Sequence, residues 1–304
     1  MSGFELTVRP DALAACALRP DLRGLRPTAL AGLDAAAVAA WPIGLGRGRI
    51  ALGELFEVRR SDTPAAAGAD SGTGTGTAGD APWLRLQGDP AALGRLDRVG
   101  WGLDAGTIEV DGPVGDQAGA LMSGGRMVVR GRAGLQAGCQ LAGGALEVIG
   151  DVGDFAASGL PGSLDGMRGG TFIVHGAAGA RLADRMRRGT LIVLGDAGDW
   201  AASRLVAGTV VLCGGVGAHL AYGQRRGSLL LLGEAAADPA WSPSSTHVPA
   251  GADAPVAWQL LARDLQARHG ALHPRLQGLA ARRPRRWLGD LAADGRGEVI
   301  TAPA

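Results

Sequence analysis

The sequence predicts an all-β protein, a right-handed parallel β-helix (solenoid) of about seven 19-residue coils with small N- and C-terminal capping segments. One sequence motif recurs seven times between residues 106 and 233. It is a glycine, five residues rich in Val, Ile, Leu and Thr, and a second glycine, followed in the first six copies by a third glycine three residues later. Successive first glycines are 19, 19, 26, 19, 19 and 19 residues apart, and the interval of 26 is one period with seven added residues. Self-similarity at a fixed period is the signature of a repeat architecture.

Each copy contains one short strand with a buried face. When the first glycine is numbered position 1, positions 3 and 5 are apolar in every copy, and this period of two is typical of a half-buried strand. A unit of 19 residues is too short for a strand, a crossover helix and two loops, so we expect short strands and corners. Like positions of stacked coils then lie about 4.8 Å apart, and seven coils make a rod roughly 30 Å long. The rule for crossovers between parallel strands predicts the right-handed sense.

The glycines at positions 7 and 10 are predicted to form the corners of each coil. Glycine tolerates a positive φ and also allows two backbones to approach closely, and either property serves at a corner. The predicted corner residues are Gly112, Gly115, Gly131, Gly134, Gly150, Gly153, Gly176, Gly179, Gly195, Gly198, Gly214 and Gly217.

The chain divides into four predicted segments. These are an N-terminal capping region (1–60), a flexible low-complexity linker (61–82), the β-helix (83–233) and a C-terminal tail with a short helix that caps the rod or binds a partner (234–304). Residues 61–80 are polar and rich in glycine, so they cannot bury a core. Outside the repeats, the predicted strands are 4–8, 50–58 (with a bulge or turn at Gly53) and 83–86, and the predicted helices are 11–18, 33–40 and 256–269.

The second face of each strand changes along the chain. Positions 4 and 6 hold polar residues such as Glu109 and Asp111 in the early copies, and apolar residues such as Ile192 and Leu194 in the late copies. A strand that is apolar on both faces is covered on both sides. We therefore expect the C-terminal tail, a partner chain, or both to lie over the late coils. The seven added residues, between 152 and 170, are expected to project as a loop that makes a specific contact.

Composition excludes several classes of function. The net charge of +1 provides no basic field of the kind that attracts nucleic acid, and no apolar run approaches the roughly 20 residues of a membrane span. Cys16, Cys139 and Cys213 are odd in number and scattered, which predicts reduced core thiols in a cytoplasmic protein. The chain's histidines include one pair four residues apart, His269 and His273, but no third ligand has the right spacing. We expect neither a catalytic residue nor a metal site in this chain.

Arginines gather in the late copies. Residues 181–226 contain seven arginines and three aspartates, whereas residues 103–159 contain seven acidic residues and three arginines. Several of the late arginines share a coil position, so that stacking would align them in a column. This arginine column consists of Arg168, Arg187, Arg188, Arg225 and Arg226. Because guanidinium groups suit carboxylates and phosphates, the column is a candidate site for an anionic carrier or a partner subunit. A solvated corner is the alternative interpretation.

Three parts of the chain carry a resemblance to a known family. They are the lead-in IALGELFEV at 50–58, the 19-residue glycine coils with Met or Leu before the next glycine (Met122, Leu141, Met167, Met186 and Leu205), and the closing RWLGDLAADGRGEVI at 286–300. With these parts the chain resembles the C subunit of formylmethanofuran dehydrogenase, whose bacterial counterpart is the C subunit of the formyltransferase/hydrolase complex of one-carbon metabolism. The repeats alone also resemble the GXGXG domain at the C-terminal end of the glutamate synthase large subunit.

The resemblance implies a scaffold subunit with no catalytic residue or cofactor of its own. The implied partners are the amidohydrolase-like A subunit, the B subunit and the formyltransferase D subunit, with zinc held in one of these other chains. In methylotrophic bacteria such a complex moves a formyl group between tetrahydromethanopterin and a methanofuran-type carrier and releases formate. In archaea the assembly is a tungsten or molybdenum oxidoreductase. All 30 basic residues of this chain are arginine, which favours the bacterial version.

Two other functions stay open at this point. The arginine column could bind the polyglutamate tail of the carrier and so make the chain a binding module. A β-helical polysaccharide lyase or hydrolase would need acids and bases clustered on one face of the rod. The acidic residues here are dispersed and the late face is apolar, so the sequence disfavours that enzyme.

Overall fold

The repeats lie side by side as strands of one large, mostly parallel sheet. The computed structural model describes residues 3–61, 81–250 and 255–303, and within these ranges the strands form a thirteen-stranded sheet and a three-stranded sheet. The strands are β1 (Gly3–Val8), β2 (Pro20–Asp21), β3 (Pro42–Leu45), β4 (Gly48–Ala51), β5 (Phe56–Ser61), β6 (Trp83–Gln87), β7 (Thr107–Val110), β8 (Ser123–Val129), β9 (Gly143–Val148), β10 (Arg168–Val174), β11 (Arg188–Val193), β12 (Thr209–Leu212), β13 (Ser228–Leu231), β14 (Val248–Ala250), β15 (Arg285–Gly289) and β16 (Gly297–Thr301). The predicted linker lies almost entirely outside the described residues.

Helices are few and short apart from the last one. Over the described ranges they are α1 (Pro10–Ala14), α2 (Pro27–Leu30), α3 (Ala35–Ala39), α4 (Leu52–Leu55), α5 (Pro90–Leu93), α6 (Glu234–Ala237) and α7 (Pro255–His269), with 3-10 turns at Pro274–Leu276, Leu279–Ala281 and Leu291–Ala293. The predicted break of the strand at Gly53 is present as the single helical turn α4, which separates β4 from β5. None of the helices in the described part of the chain has the length and apolarity that a membrane crossing requires.

Each repeat contacts the next repeat through two parallel ladders. Strands β7 to β13 pair in register, so that Ile108, Met127, Leu146 and Phe172 are successive neighbours. Positions 3 and 5 are buried in all seven repeats, as predicted. A second ladder of single parallel bridges runs through position 9, at Val114, Ala133, Val152, Ala178, Ala197 and Val216. Both ladders repeat because the spacing places the same apolar side chain above the same neighbour.

The flanking segments extend the sheet at both ends. Strands β1 and β6 pair in parallel ahead of β7, and β16 pairs in parallel with β13. Antiparallel strands then close the sheet, with β5 beyond β1 at one edge and β15 followed by β14 at the other. Strand β1, from the predicted N-terminal capping region, is therefore part of the main sheet. Leu6 and Leu86, both fully buried, continue the same apolar core.

The glycines at positions 7 and 10 have one of the two predicted roles. None of the twelve has a positive φ, so the positive-φ alternative is wrong for them. They allow close approach instead: a Cβ on Gly179 would lie 2.2 Å from Oδ1 of Asp154 and 2.7 Å from the Asp154 nitrogen. The glycines that do have a positive φ include those at position 1, where the seven values lie between 66° and 102°.

Helix α7 and the segment after it cover the outer face of the late strands. Trp258, Ala262 and Leu265 of α7 form a second buried cluster with the strand residues. The strand side of this cluster consists of Ile192, Val211, Cys213, Leu230, Leu232, Ile300 and Ala302. The sequence predicted that the C-terminal tail, a partner chain, or both would cover this face, and the C-terminal segment lies there.

Candidate functional site on the late repeats

The five arginines of the arginine column are exposed and lie on three repeats, with the pairs 187/188 and 225/226 separated by a repeat that has Val206 and Ala207 at these positions. The backbone N–H groups of Arg168, Arg187 and Arg225 donate to position 17 of the preceding repeat, at Leu141, Met167 and Leu205 respectively. The pairing of β10 with β11 also places Arg168 beside Arg188, with a register shift after that pair. The backbone of Arg168 thus shares the hydrogen-bond pattern of position 18 and pairs with position 19 of the next repeat.

One member of the arginine column is already neutralised. The guanidinium of Arg187 forms an ion pair with Asp165, which lies in the loop created by the seven added residues. Within the described ranges, Arg168, Arg188, Arg225 and Arg226 pair with no carboxylate. The column therefore carries four uncompensated cations.

The inserted loop is tied to the repeats on both sides of it. Ser163 accepts a hydrogen bond from Nε2 of Gln140 at 2.7 Å, and its carbonyl accepts one from Arg185 at 3.2 Å. Leu164, the neighbouring residue, is 71% exposed. The loop thus holds a fixed position from which one large apolar side chain projects into solvent.

A second column lies at position 12 and was missed by the sequence analysis. We define the aromatic column as Phe155, Arg181, Trp200 and His219 at position 12, together with Tyr222. The rings of Trp200 and His219 stack with centroids 4.2 Å apart, and Tyr222 meets Trp200 edge-on at 5.2 Å. The guanidinium of Arg181 lies 5.2 Å from the Trp200 centroid and 5.9 Å from the Phe155 centroid. Aligning position 12 across the copies would have revealed this series.

The backbone at this corner has an unusual conformation. Positions 12 and 14 have positive φ in each of the six complete repeats, and position 12 never holds glycine. The early repeats place Gln117 and Gln136 at position 12, and these side chains hydrogen-bond to each other at 2.8 Å. Because each repeat has the same backbone conformation here, the residues at position 12 form a regular series from one repeat to the next.

The acidic residues serve mainly within the fold. Asp116, Asp154 and Asp199 each accept a hydrogen bond from a backbone N–H of the next repeat, at 2.8–2.9 Å. Buried Asp184 accepts from Ser203 and forms an ion pair with Arg204. No group of three or more His, Cys, Asp and Glu residues with the arrangement of a metal site occurs in the described part of the chain.

Burial favours the neutral forms of two thiols and of two imidazoles. Burial raises the pKa of Cys139 to about 11 and that of Cys213 to about 12, so neither is a ready nucleophile. Cys16 is half-buried and packs against the main core, so it lies at the edge of the core. Burial also lowers the pKa of His247 and His269.

Comparison with known proteins gives a consistent result. No family model matches the chain. Over 99 residues the chain is 38% identical to the C subunit of the formyltransferase/hydrolase complex Fhc of Methylorubrum extorquens, and this match spans 33% of the chain and 29% of that relative. The structure is similar to a chain of the X-ray crystal structure of the formyltransferase/hydrolase complex (FhcABCD) from Methylorubrum extorquens in complex with methylofuran. That similarity has a TM-score of 0.79 and 36% sequence identity, and it covers 99% of each chain. The chain therefore belongs to the family formed by the C subunits of formyltransferase/hydrolase complexes.

Proposed function

We propose that this chain is the C subunit of a formyltransferase/hydrolase complex, and that it acts there as a scaffold without catalytic residues. The complex would convert formyl-tetrahydromethanopterin, through a formyl-methanofuran-type carrier, into formate. One observation carries the proposal: 36% identity extends across 99% of both chains in the match to the FhcABCD structure. The partners would be the A, B and D subunits of a cytoplasmic complex, with zinc in one of these other chains.

The proposed architecture is a right-handed parallel β-helix over residues 83–233. Two parallel ladders with the same period, one through the strands and one through position 9, support a chain that winds once per repeat. Residues 1–60 and 234–304 would close its two ends, and 61–82 would link the first cap to the rod. Because the sheet is closed by antiparallel strands at both edges, a cap function suits both flanks.

The use of the polar groups favours a scaffold. The aspartates at positions 8 and 11 are engaged by backbone N–H groups, as in Asp151, Asp196 and Asp199. General acid–base chemistry needs a carboxyl group or imidazole free to face a substrate. Side chains that hold consecutive repeats together are committed to the fold.

Co-purification tests the proposal directly. The tagged chain is co-expressed with the A, B and D subunits from the same genome, and the bound chains and metals are identified by mass spectrometry. We expect all four chains in one assembly, with formate production lost when this chain is omitted. A chain that stays alone would refute the proposal, as would turnover by the isolated chain.

A second candidate function is binding of the carrier's acidic tail by the arginine column. The four uncompensated guanidinium groups favour it, because stacked cations complement a polyglutamate chain. The variant Arg188→Ala/Arg225→Ala/Arg226→Ala should lower kcat/KM for the long-tailed carrier several-fold at low salt, with a smaller effect at high salt.

The control for this test is the variant Arg47→Ala/Arg263→Ala/Arg283→Ala, which removes three exposed arginines outside the repeats. It should leave kcat/KM unchanged. A carrier with a shortened tail separates the two roles of the column. If both carriers lose activity equally, the arginines serve assembly and the tail-binding function is wrong.

A further inference from the structure

The exposed aromatic side chains of this chain are concentrated in one place. All Phe, Trp and Tyr residues lie within the described ranges, and only Phe155 and Tyr222 among them are exposed, at 38% and 57%. Both belong to the aromatic column: Tyr222 meets the half-buried Trp200 edge-on, and Phe155 lies on the other side of Arg181. A large ring gains free energy when it leaves water, so rings grouped at a surface mark a place where another molecule covers them.

The aromatic column also carries positive charge. Arg181 lies over the rings of Trp200 and Phe155 and pairs with no carboxylate in the described part of the chain. Its neighbour Arg204 differs, because Asp184 neutralises it. The aromatic column thus combines a flat apolar surface with an arginine that can form an ion pair with a carboxylate of another molecule.

The shape of this surface suits a polypeptide better than a small molecule. Small ligands bind in concave cavities, and two cavities in the described part of the chain, of about 480 and 530 Å³, lie in the N-terminal region, at Trp41 and Arg49 and at Val8 and Glu57. The aromatic column lines neither of them. Trp, Tyr and Arg are the residues that most often dominate the binding energy of protein interfaces.

We propose that the aromatic column is the docking site for an acidic segment of another polypeptide of the same complex. A carboxylate of that segment would pair with Arg181, and an apolar side chain would lie against Trp200 and Tyr222. His219, the last member of the series, is exposed and offers a flat ring for a further planar group. This inference rests on the proposed function, because it takes its partner from that complex.

The test measures how strongly the chain is held in the co-expressed complex. Trp200→Ala and Tyr222→Ser should each raise the dissociation constant of this chain by about tenfold or more, measured by dilution in native mass spectrometry. The control Leu135→Ser removes an exposed apolar side chain from an early repeat and should change it less than about twofold. Arg181→Glu should weaken assembly more than Arg181→Gln, and the difference should shrink as salt rises.

Each outcome decides between the two proposals. If the wild-type chain does not assemble, the proposed function and this inference are both overturned. If the wild type assembles and Tyr222→Ser assembles equally well, only the aromatic column is overturned. Tyr222→Ser is the decisive variant, because its side chain is more than half exposed and the isolated variant should keep the wild-type unfolding temperature.

Discussion

The variant Gly179→Ala tests whether close approach is what requires glycine at position 10. The added methyl group would lie 2.2 Å from Oδ1 of Asp154, which accepts a hydrogen bond from the N–H of Ala180. Either the carboxylate moves and leaves that N–H without a partner, or the two backbones separate. Overpacking costs about 1–3 kcal/mol and a lost hydrogen bond about 1–2 kcal/mol, so we expect a loss of about 2–5 kcal/mol.

Gly48→Ala is the matched control. Gly48 also has a negative φ, and the nearest atom to a Cβ there is 3.7 Å away, so this variant should be neutral or slightly stabilising. Asp154→Ala should cost about 1–2 kcal/mol by itself. In the double variant the methyl group no longer competes with the carboxylate, so the loss should be smaller than the sum by about 1 kcal/mol.

The assay is urea unfolding of the full chain followed by tryptophan fluorescence and by far-UV circular dichroism. Coincident transitions would show that the rod unfolds as one unit, which allows the free energies of unfolding to be compared. A change below about 0.5 kcal/mol for Gly179→Ala, the size of an ordinary surface substitution, would refute the reasoning. Strict additivity in the double variant would show that the carboxylate is not the competing group.

Three further predictions concern pH, thiol reactivity and the C-terminal cover. Burial lowers the pKa of His247 below the roughly 6.5 of an unfolded chain, so its neutral form should stabilise the fold fully above pH 6.5 and progressively less below it. His247→Gln should therefore reduce the fall in unfolding temperature between pH 7 and 5, and an unaltered fall would contradict this. In native protein at pH 8, a thiol reagent should modify Cys16 first, with Cys139 and Cys213 reacting only on unfolding; rapid modification of all three would show that burial does not protect them. Trp258→Ala should cost about 3–5 kcal/mol in urea unfolding by opening the cluster under α7, and a loss below about 1 kcal/mol would mean that α7 does not cover this face.

Much of the fold could be predicted because the repeat constrains it at each level. The period of 19 residues placed Val110, Val129 and their equivalents in one buried row, and α7 was predicted to within one residue at its start. The ends could not be predicted in the same way. Strands β1 and β16 lack the repeated glycine motif. Their parallel pairing depends on contacts with residues more than 60 positions away in the sequence.

The candidate site was predictable only in part. The arginine column followed from matching positions 18 and 19, but the ion pair that removes Arg187 from it depends on where the loop places Asp165. The aromatic column was within reach of the same method, because Phe155, Trp200 and His219 share position 12. The positive φ of these residues gave no local signal, since none is a glycine. The neighbouring repeats impose that conformation.

The antiparallel strands at the two edges of the sheet allow the number of parallel repeats between them to change. The edge strands of the sheet are β5 and β14, so the parallel repeats are flanked on both sides by segments that do not repeat. If one repeat in the middle were duplicated or lost, both flanking segments would stay intact. Their separation would change by one strand spacing, about 4.8 Å. The number of repeats would therefore set the distance between the N-terminal and C-terminal flanks, in steps of one strand spacing.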